Sequence, residues 1–475
     1  MHKFDNSILR KYDIRGTWKK NLDEKDAYYL GLSFARFLKK KCLQGDVYIG
    51  YDGRFSSPII KKNLIKGLIQ SGISIVEIGL VPTPVLYFAC HFFTSAVAGI
   101  MVTGSHNEPQ DNGFKMVIAK DALHEDDIFK LAKIAENGNF ILDSFQGKHI
   151  KKNITQNYIK RIIEANLSLT KRKFLNSAIR VAWDPGNGAA SEMLHELTKL
   201  IPGEHILIND KIDANFSAHS PDPTQPANLK QLISVVKENK CDVGVAFDGD
   251  ADRIIAVDSL GNILYGDQLL MIFAQDFLKR NRGSIVIGDI KTSDVVFQKI
   301  KEWGGEPMIW KTGHSLIKSK MKESSSLLAG EVSGHIFFGE NYYGFDDALF
   351  AAVKLVFLLA QQSDIFKFID SFPRPIATHE VRISCKDSVS VIKKIKTLLD
   401  DSNIKYNNLD GVKVSTDNGW WLVRASNTQE CLVIKVEGID AANLLSLGKN
   451  LIDIFLKIRI NIALKDIGIT KKCLI

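Results

Sequence analysis

Short apolar runs recur along the chain, and several of them end in a cluster of short polar side chains. Ala96-Val97-Ala98-Gly99-Ile100-Met101-Val102 leads into Thr103-Gly104-Ser105-His106-Asn107. Val243-Gly244-Val245-Ala246-Phe247 leads into Asp248-Gly249-Asp250-Ala251-Asp252, and Leu327-Leu328-Ala329 into Gly330-Glu331-Val332-Ser333-Gly334-His335. A brief apolar, β-rich run bounded by a polar turn predicts a buried strand. The polar loop at the C-terminal end of such a strand is where open α/β sheets hold their ligands.

Each of these strand-and-loop pairs belongs to a longer unit that opens on another apolar strand. Val47 to Gly53 reads as a strand and turn before a helical stretch from Pro58 to Gln70; Ile179 to Gly186 and Ile285 to Asp289 open the second and third units. The repetition is one of pattern rather than of residues. After Phe372-Pro373-Arg374-Pro375 the pattern changes: His379 to Cys385 alternates like a strand, Val389 to Leu399 has helical spacing, two strands flank Arg424, and an amphipathic helix spans about Ala441 to Lys457. The predicted fold class is α/β: three similar mixed α/β domains plus a smaller C-terminal α+β domain, arranged around a central cleft. The expected boundaries are 1–150, 151–258, 259–372 and 373–475.

Composition narrows the function classes. The chain has 475 residues, 45% of them hydrophobic and 24% charged, which is enough apolar material for several cores. The formal charge of +8 is spread over scattered lysines, and no nucleic-acid recognition motif accompanies it. The six cysteines are far apart, with no Cys-x-x-Cys pair, and read as reduced thiols. The N-terminus lacks an apolar signal core, and the oiliest stretch, Ala348 to Ala360, carries Lys354 and is too short to span a bilayer. The expectation is a cytoplasmic protein with no nucleic-acid or membrane partner.

The loops supply the chemistry. Three carboxylates at Asp248, Asp250 and Asp252 repel one another, so a curled loop that gathers them calls for a divalent cation. Hard oxygen ligands favour Mg²⁺ over zinc. An EF-hand is excluded, because Arg253 stands where its turn glycine belongs and Ser259 where its bidentate glutamate belongs. Arg424, Ser426, Asn427 and Thr428 offer a planar guanidinium fork and three short donors, a set suited to phosphate and equally compatible with a hairpin turn. Glu331 and Ser333, two residues apart, fall on one side of an extended loop and suit neighbouring sugar hydroxyls. Thr312-Gly313-His314-Ser315 and Lys291-Thr292-Ser293 are less specific loops of the same kind.

Together these motifs resemble the α-D-phosphohexomutase superfamily, in its phosphomannomutase/phosphoglucomutase branch. The resemblance covers essentially the whole chain and also includes Lys11-Tyr12-Asp13-Ile14-Arg15-Gly16. It implies interconversion of hexose 1-phosphate and hexose 6-phosphate, of mannose or glucose, through a phosphoserine enzyme. The implied cofactors are one Mg²⁺ per chain and a hexose 1,6-bisphosphate, which serves as activator and intermediate. The partner is a phosphorylated hexose, and the expected assembly is a monomer or weak homodimer. Ser105 matches the phosphoryl carrier, and Ser105, Asp248, Asp250 and Asp252 the metal ligands. Tyr12, Arg15, Lys291, Glu331, Ser333, Arg424, Ser426, Asn427 and Thr428 match substrate-binding positions. His106, Lys115, Arg253, His314 and His335 match catalytic ones. Lys115, His314 and His335 are the candidate general acids and bases, and the sequence does not rank them.

Two positions depart from the family pattern. Glu108 replaces a usual proline, and Ala251 replaces the usual glycine between metal ligands, where a positive φ would be poorly tolerated. Three rivals remain: a phosphoglucosamine mutase, a non-catalytic phosphosugar-binding protein, and a serine-nucleophile phosphatase.

Overall fold

A computed structural model of the chain describes residues 1–123, 125–169, 179–361, 373, 375–426 and 430–470. The chain divides into two compact units. The first comprises Met1–Leu269 with Ser333–Ile365, the second Leu270–Val332 with Phe366–Ile475.

The first unit contains two sheets built on one plan. In one, the strand Asp46–Tyr51 lies between Ile75–Leu80 and Ala96–Val102, parallel to both. In the other, Arg180–Asp184 lies between Glu204–Leu207 and Val243–Phe247, again parallel to both. The second unit repeats the plan, with Ile285–Asp289 between Glu306–Trp310 and Leu328–Gly330. Each time the opening strand is central, the next lies on one side, and the third, which carries the polar loop, lies on the other. The pattern expected from the sequence is therefore a repeat of topology.

An antiparallel strand closes two of these arrangements beside the loop. Asp111–Ile118 pairs with Ala96–Val102 so that Lys115 stands opposite Met101. Ile254–Asp258 pairs with Val243–Phe247, Phe247 facing Ile254, so the acidic loop is a tight connection between paired strands. The expected helix after Gly53 spans Ser57–Gln70, with Pro58 in its first turn, where a missing N–H costs nothing. It packs on the helix Glu24–Lys40, which starts at a capping box of Asp23 and Asp26. Gly31 and Gly67 set that approach: a Cβ on Gly67 would lie 2.2 Å from the Tyr28 carbonyl oxygen.

The end of the chain is α+β, as expected. Val412–Thr416, Gly419–Ala425 and Cys431–Gly438 form an antiparallel sheet, with Ile376–Ala377 and Val381–Ser384 also pairing to the last of them. The helices Ser388–Asp401 and Ala441–Lys457 join its core, where Ile395, Leu399, Val423, Ile434, Leu451 and Phe455 are buried. One expectation is corrected. Arg424 is a strand residue, paired antiparallel with Val433, because the ladder continues past it to Ala425 opposite Leu432.

Among the described residues no helix is long and apolar enough to cross a membrane. Cys42, Cys90, Cys241, Cys385 and Cys431 are free thiols.

Candidate active site

In the first unit, the loop after Ala96–Val102 turns sharply. The Thr103 hydroxyl accepts the Ser105 amide at 2.8 Å, and Asp52 Oδ2 accepts the Gly104 amide at 3.1 Å. Ser105 itself is left-handed, at φ 51°, a conformation costing an L-residue roughly 1–2 kcal/mol. That turn delivers its hydroxyl to Asp248, donating to Oδ2 at 3.0 Å, with His106 Nδ1 3.2 Å away.

Asp248, Asp250 and Asp252 are fully buried, and one carboxylate oxygen from each lies within 4.8 Å of the others. The loop is held by its own backbone: Asp248 Oδ1 accepts the amides of Asp252 at 3.1 Å and Arg253 at 3.2 Å. Ala251 has φ 55°, so the methyl does sit at a left-handed position. Thr83, at the start of the helix Thr83–Phe92, donates its hydroxyl to Asp250 Oδ2 at 2.5 Å and its amide to the Asp250 carbonyl at 2.9 Å.

Lys115 supplies the countercharge. Its ammonium lies 2.7 Å from Asp250 Oδ2 and also pairs with Asp252. Burial works against the charged lysine, but Asp250, Asp252 and Asp248 outweigh it and hold its pKa above the ordinary value. Burial, with Asp252 and Asp250 nearby, pushes the Asp248 carboxyl well up. Asp252 is held well down, because Lys115, His335 and Arg253 overcome its burial. Asp250 Oδ1 is buried without a hydrogen-bond partner among the described residues, and Asp252 Oδ1 has only the long approach of His335 Nε2 at 3.4 Å. Hard, convergent and partly unsatisfied oxygens fit a divalent cation.

Other expected residues surround this centre. Arg253 Nε donates to His335 Nε2 at 3.2 Å and lies 3.9 Å from Asp248 Oδ2. His335 Nε2 is 3.4 Å from Asp252 Oδ1, and its Nδ1 is 3.2 Å from the Ser333 hydroxyl. Desolvation first, then Arg253 and Arg15, push the His106 pKa down. Arg15 donates to Asn107 Oδ1 at 2.8 Å and to Asp13 at 2.6 Å. Tyr12 is half-buried just before the strand Ile14–Thr17.

The second unit holds the remaining residues. Glu331 is buried and accepts the Gly313 amide at 2.6 Å, which fixes it against the turn before the helix His314–Ser324. Lys291 lies 3.0 Å from Glu380 and 3.8 Å from buried Asp289. Arg424 Nε donates to Asp410 at 3.0 Å, while its buried Nη2 has no partner among the described residues. Asp410 also accepts the Thr312 amide at 3.3 Å, tying the Arg424 strand to the turn that bears His314. The Ser426 amide donates to the Cys431 carbonyl at 3.0 Å. Asn427 and Thr428 lie outside the described residues.

Sequence reasoning missed Asp52, Arg54 and Thr83. The signal available was the turn Asp52-Gly53-Arg54 at the end of an opening strand, the same place in the plan as Asp289 to Lys291 in the third repeat.

Four family profiles match the chain in order: phosphoglucomutase/phosphomannomutase alpha/beta/alpha domain I over residues 6–142, domain II over 156–261, domain III over 265–374, and the C-terminal domain over 380–453. A phosphomannomutase/phosphoglucomutase of Pseudomonas putida is 41% identical over 92% of this chain and 93% of its own length. A phosphoglucomutase of Neisseria gonorrhoeae is 38% identical over 92% and 94%. A crystal structure of a phosphoglucomutase/phosphomannomutase family protein from Burkholderia thailandensis superposes with a TM-score of 0.89 at 34% identity, covering 96% of this chain and 98% of that one.

Proposed function

This chain belongs to the phosphoglucomutase/phosphomannomutase family of mutase enzymes, and on that premise we propose that Ser105 carries the phosphoryl group exchanged between the C1 and C6 oxygens of a hexose phosphate. The observation that supports it best is the buried Ser105 hydroxyl, 3.0 Å from Asp248 in an acidic cluster whose Asp250 Oδ1 has no partner among the described residues.

In the proposed cycle, phospho-Ser105 donates to the free hydroxyl of the hexose phosphate. The bond from phosphorus to Oγ breaks, one to the sugar oxygen forms, and the sugar hydroxyl gives up its proton to a base. The resulting hexose 1,6-bisphosphate turns end for end, and its other phosphate returns to Ser105. Phosphoryl transfer asks mainly for alignment and charge neutralisation. Asp248, Asp250 and Asp252 would hold a Mg²⁺, which when bound supplies part of that neutralisation. Lys115 and Arg253 add fixed positive charge beside the serine. Lys115, His314 and His335 are the proposed candidates for the general acid and base.

Recognition must accept the sugar either way round. Glu331 and Ser333 would bond its ring hydroxyls, with Lys291, Tyr12, Arg15 and His106 as further polar contacts. Arg424, with Ser426, Asn427 and Thr428, would hold the phosphate that does not react. Mannose and glucose differ only at C2, so both are proposed substrates. The proposed setting is cytoplasmic, and the proposed assembly a monomer or weak homodimer. A coupled assay on mannose 1-phosphate and glucose 1-phosphate, with and without sugar bisphosphate, tests the reading. A preference for glucosamine phosphate, or release of inorganic phosphate in place of isomerisation, would overturn it.

A further inference from the structure

We propose that Arg54 is a positioning residue for phosphoryl transfer, its guanidinium holding the Ser105 loop in the backbone arrangement that aims the hydroxyl at Asp248. The inference rests on Ser105 being the phosphoryl carrier. Arg54 follows the turn that ends the strand Asp46–Tyr51, and its side chain is fully buried. A guanidinium has five N–H donors in a rigid planar fork. Here all five are engaged. Nη2 donates to the carbonyls of Ser105 and Asn107, each at 2.7 Å; Nη1 donates to those of Glu108 at 2.5 Å and Asp111 at 2.9 Å; Nε donates to Asp52 at 3.0 Å.

Four loop carbonyls therefore converge on one cation. In a trans peptide the N–H points opposite to the C=O, and no cis bond occurs among the described residues. Drawing the Ser105 and Asn107 carbonyls inward thus turns the amides of His106 and Glu108 away from Arg54. The same grip retains Ser105 in its left-handed conformation, which the loop has no repetitive secondary structure to enforce.

The surroundings brace the cation itself. Asp52 takes both the Arg54 amide at 3.2 Å and Nε, and accepts the Gly104 amide and the Ser57 hydroxyl as well. The Phe216 ring lies 5.0 Å from Cζ. Gly104 completes the fit, because a Cβ there would stand 2.5 Å from the guanidinium carbon. Lysine carries a charge but no planar fork, and cannot satisfy four carbonyls in these directions.

A merely structural arginine would alter the amount of folded protein and leave each folded molecule with parental kinetics. A positioning residue changes turnover. In full-length Arg54→Lys, corrected for folded fraction by circular dichroism, kcat is expected to fall about 10-fold to 100-fold with no rise in KM for the hexose phosphate. Asp52→Asn, which preserves side-chain shape, is expected to shift kcat in the same direction by a smaller factor. Intact-mass measurement should show slower phosphorylation of Ser105 by hexose 1,6-bisphosphate in both. A folded Arg54→Lys enzyme with kcat within about 3-fold of the parent, or a loss carried entirely by KM, overturns the inference. If Arg54→Lys does not fold, Asp52→Asn decides by the same criteria, and failure of both to fold assigns the pair a structural role and overturns it too. Ser105→Ala separates the two readings: if that variant turns over, the nucleophile assignment fails; if it is inactive while Arg54→Lys is parental, only the role of Arg54 falls.

Discussion

The Ser105 hydroxyl and the Asp248 carboxylate meet at 3.0 Å although 143 positions separate them in the chain. A serine hydroxyl from one sheet and an acidic loop from another thus meet in a buried hydrogen bond. Ser105→Ala removes the proposed phosphoryl acceptor while deleting a hydroxyl-to-carboxylate contact worth roughly 1.5–3 kcal/mol. Mutase turnover in a coupled assay is expected to fall to background, with the circular dichroism spectrum and cooperative melting retained. Near-parental turnover would remove Ser105 from the mechanism.

Lys115 is the counter-ion of the acidic cluster. Without it the buried carboxylates keep only the more distant Arg253 and His335 as compensation, and breaking such a buried pair costs about 3–5 kcal/mol. Lys115→Met is therefore expected to lower the melting temperature most in chelator, and distinctly less when excess Mg²⁺ is present. Equal losses in both conditions would show that no cation shares the load.

Arg424 presents Nη2 without a partner among the described residues while Asp410 anchors Nε. Arg424→Ala should raise KM for the hexose phosphate by about 10-fold to 100-fold, the equivalent of a charge-assisted contact of roughly 1.5–3 kcal/mol. Steady-state kinetics on either hexose phosphate checks this. An unchanged KM would argue against a phosphate contact.

Asp347 accepts hydrogen bonds from Tyr158 at 2.7 Å and Tyr342 at 2.8 Å in a fully buried setting. Burial, against the bonds from the Phe350 amide and the two tyrosines, pushes its carboxyl up to about 7 from an ordinary 3.8. Between those values the folded chain keeps a proton that the unfolded chain has released. The contribution is thus fully present below about pH 4 and lost as pH rises toward 7. Asp347→Asn, which cannot ionise, should flatten that part of the stability profile in chemical denaturation from pH 5 to 8. An identical slope in the variant would clear Asp347 of the effect.

Much of the architecture was legible because it is local. Strand Ala96–Val102 and the i, i+2, i+4 carboxylates declare themselves within a few residues, and so does the helix Ala441–Lys457. Ala251 was legible as an oddity, and its φ of 55° explains why glycine would sit there more easily. Thr83 was not legible, and for Arg54 the turn after the opening strand marked a place but not the partners. Their partners are backbone carbonyls and a carboxylate supplied by distant segments, and backbone groups leave no mark in a sequence. Arg424 was misassigned to a loop because hairpin ends and polar turns share a composition, and only its pairing with Val433 separates them.

The threefold recurrence of a central opening strand has a mechanical outcome. Ala96–Val102 and Val243–Phe247, which lead into the Ser105 loop and the acidic loop, are each flanked by strands on both sides, whereas Glu204–Leu207 forms a sheet margin. The reactive loops are thus moored from both sides of the strands that carry them, and this margin reaches them only through the segment after it, where Phe216 packs on Arg54.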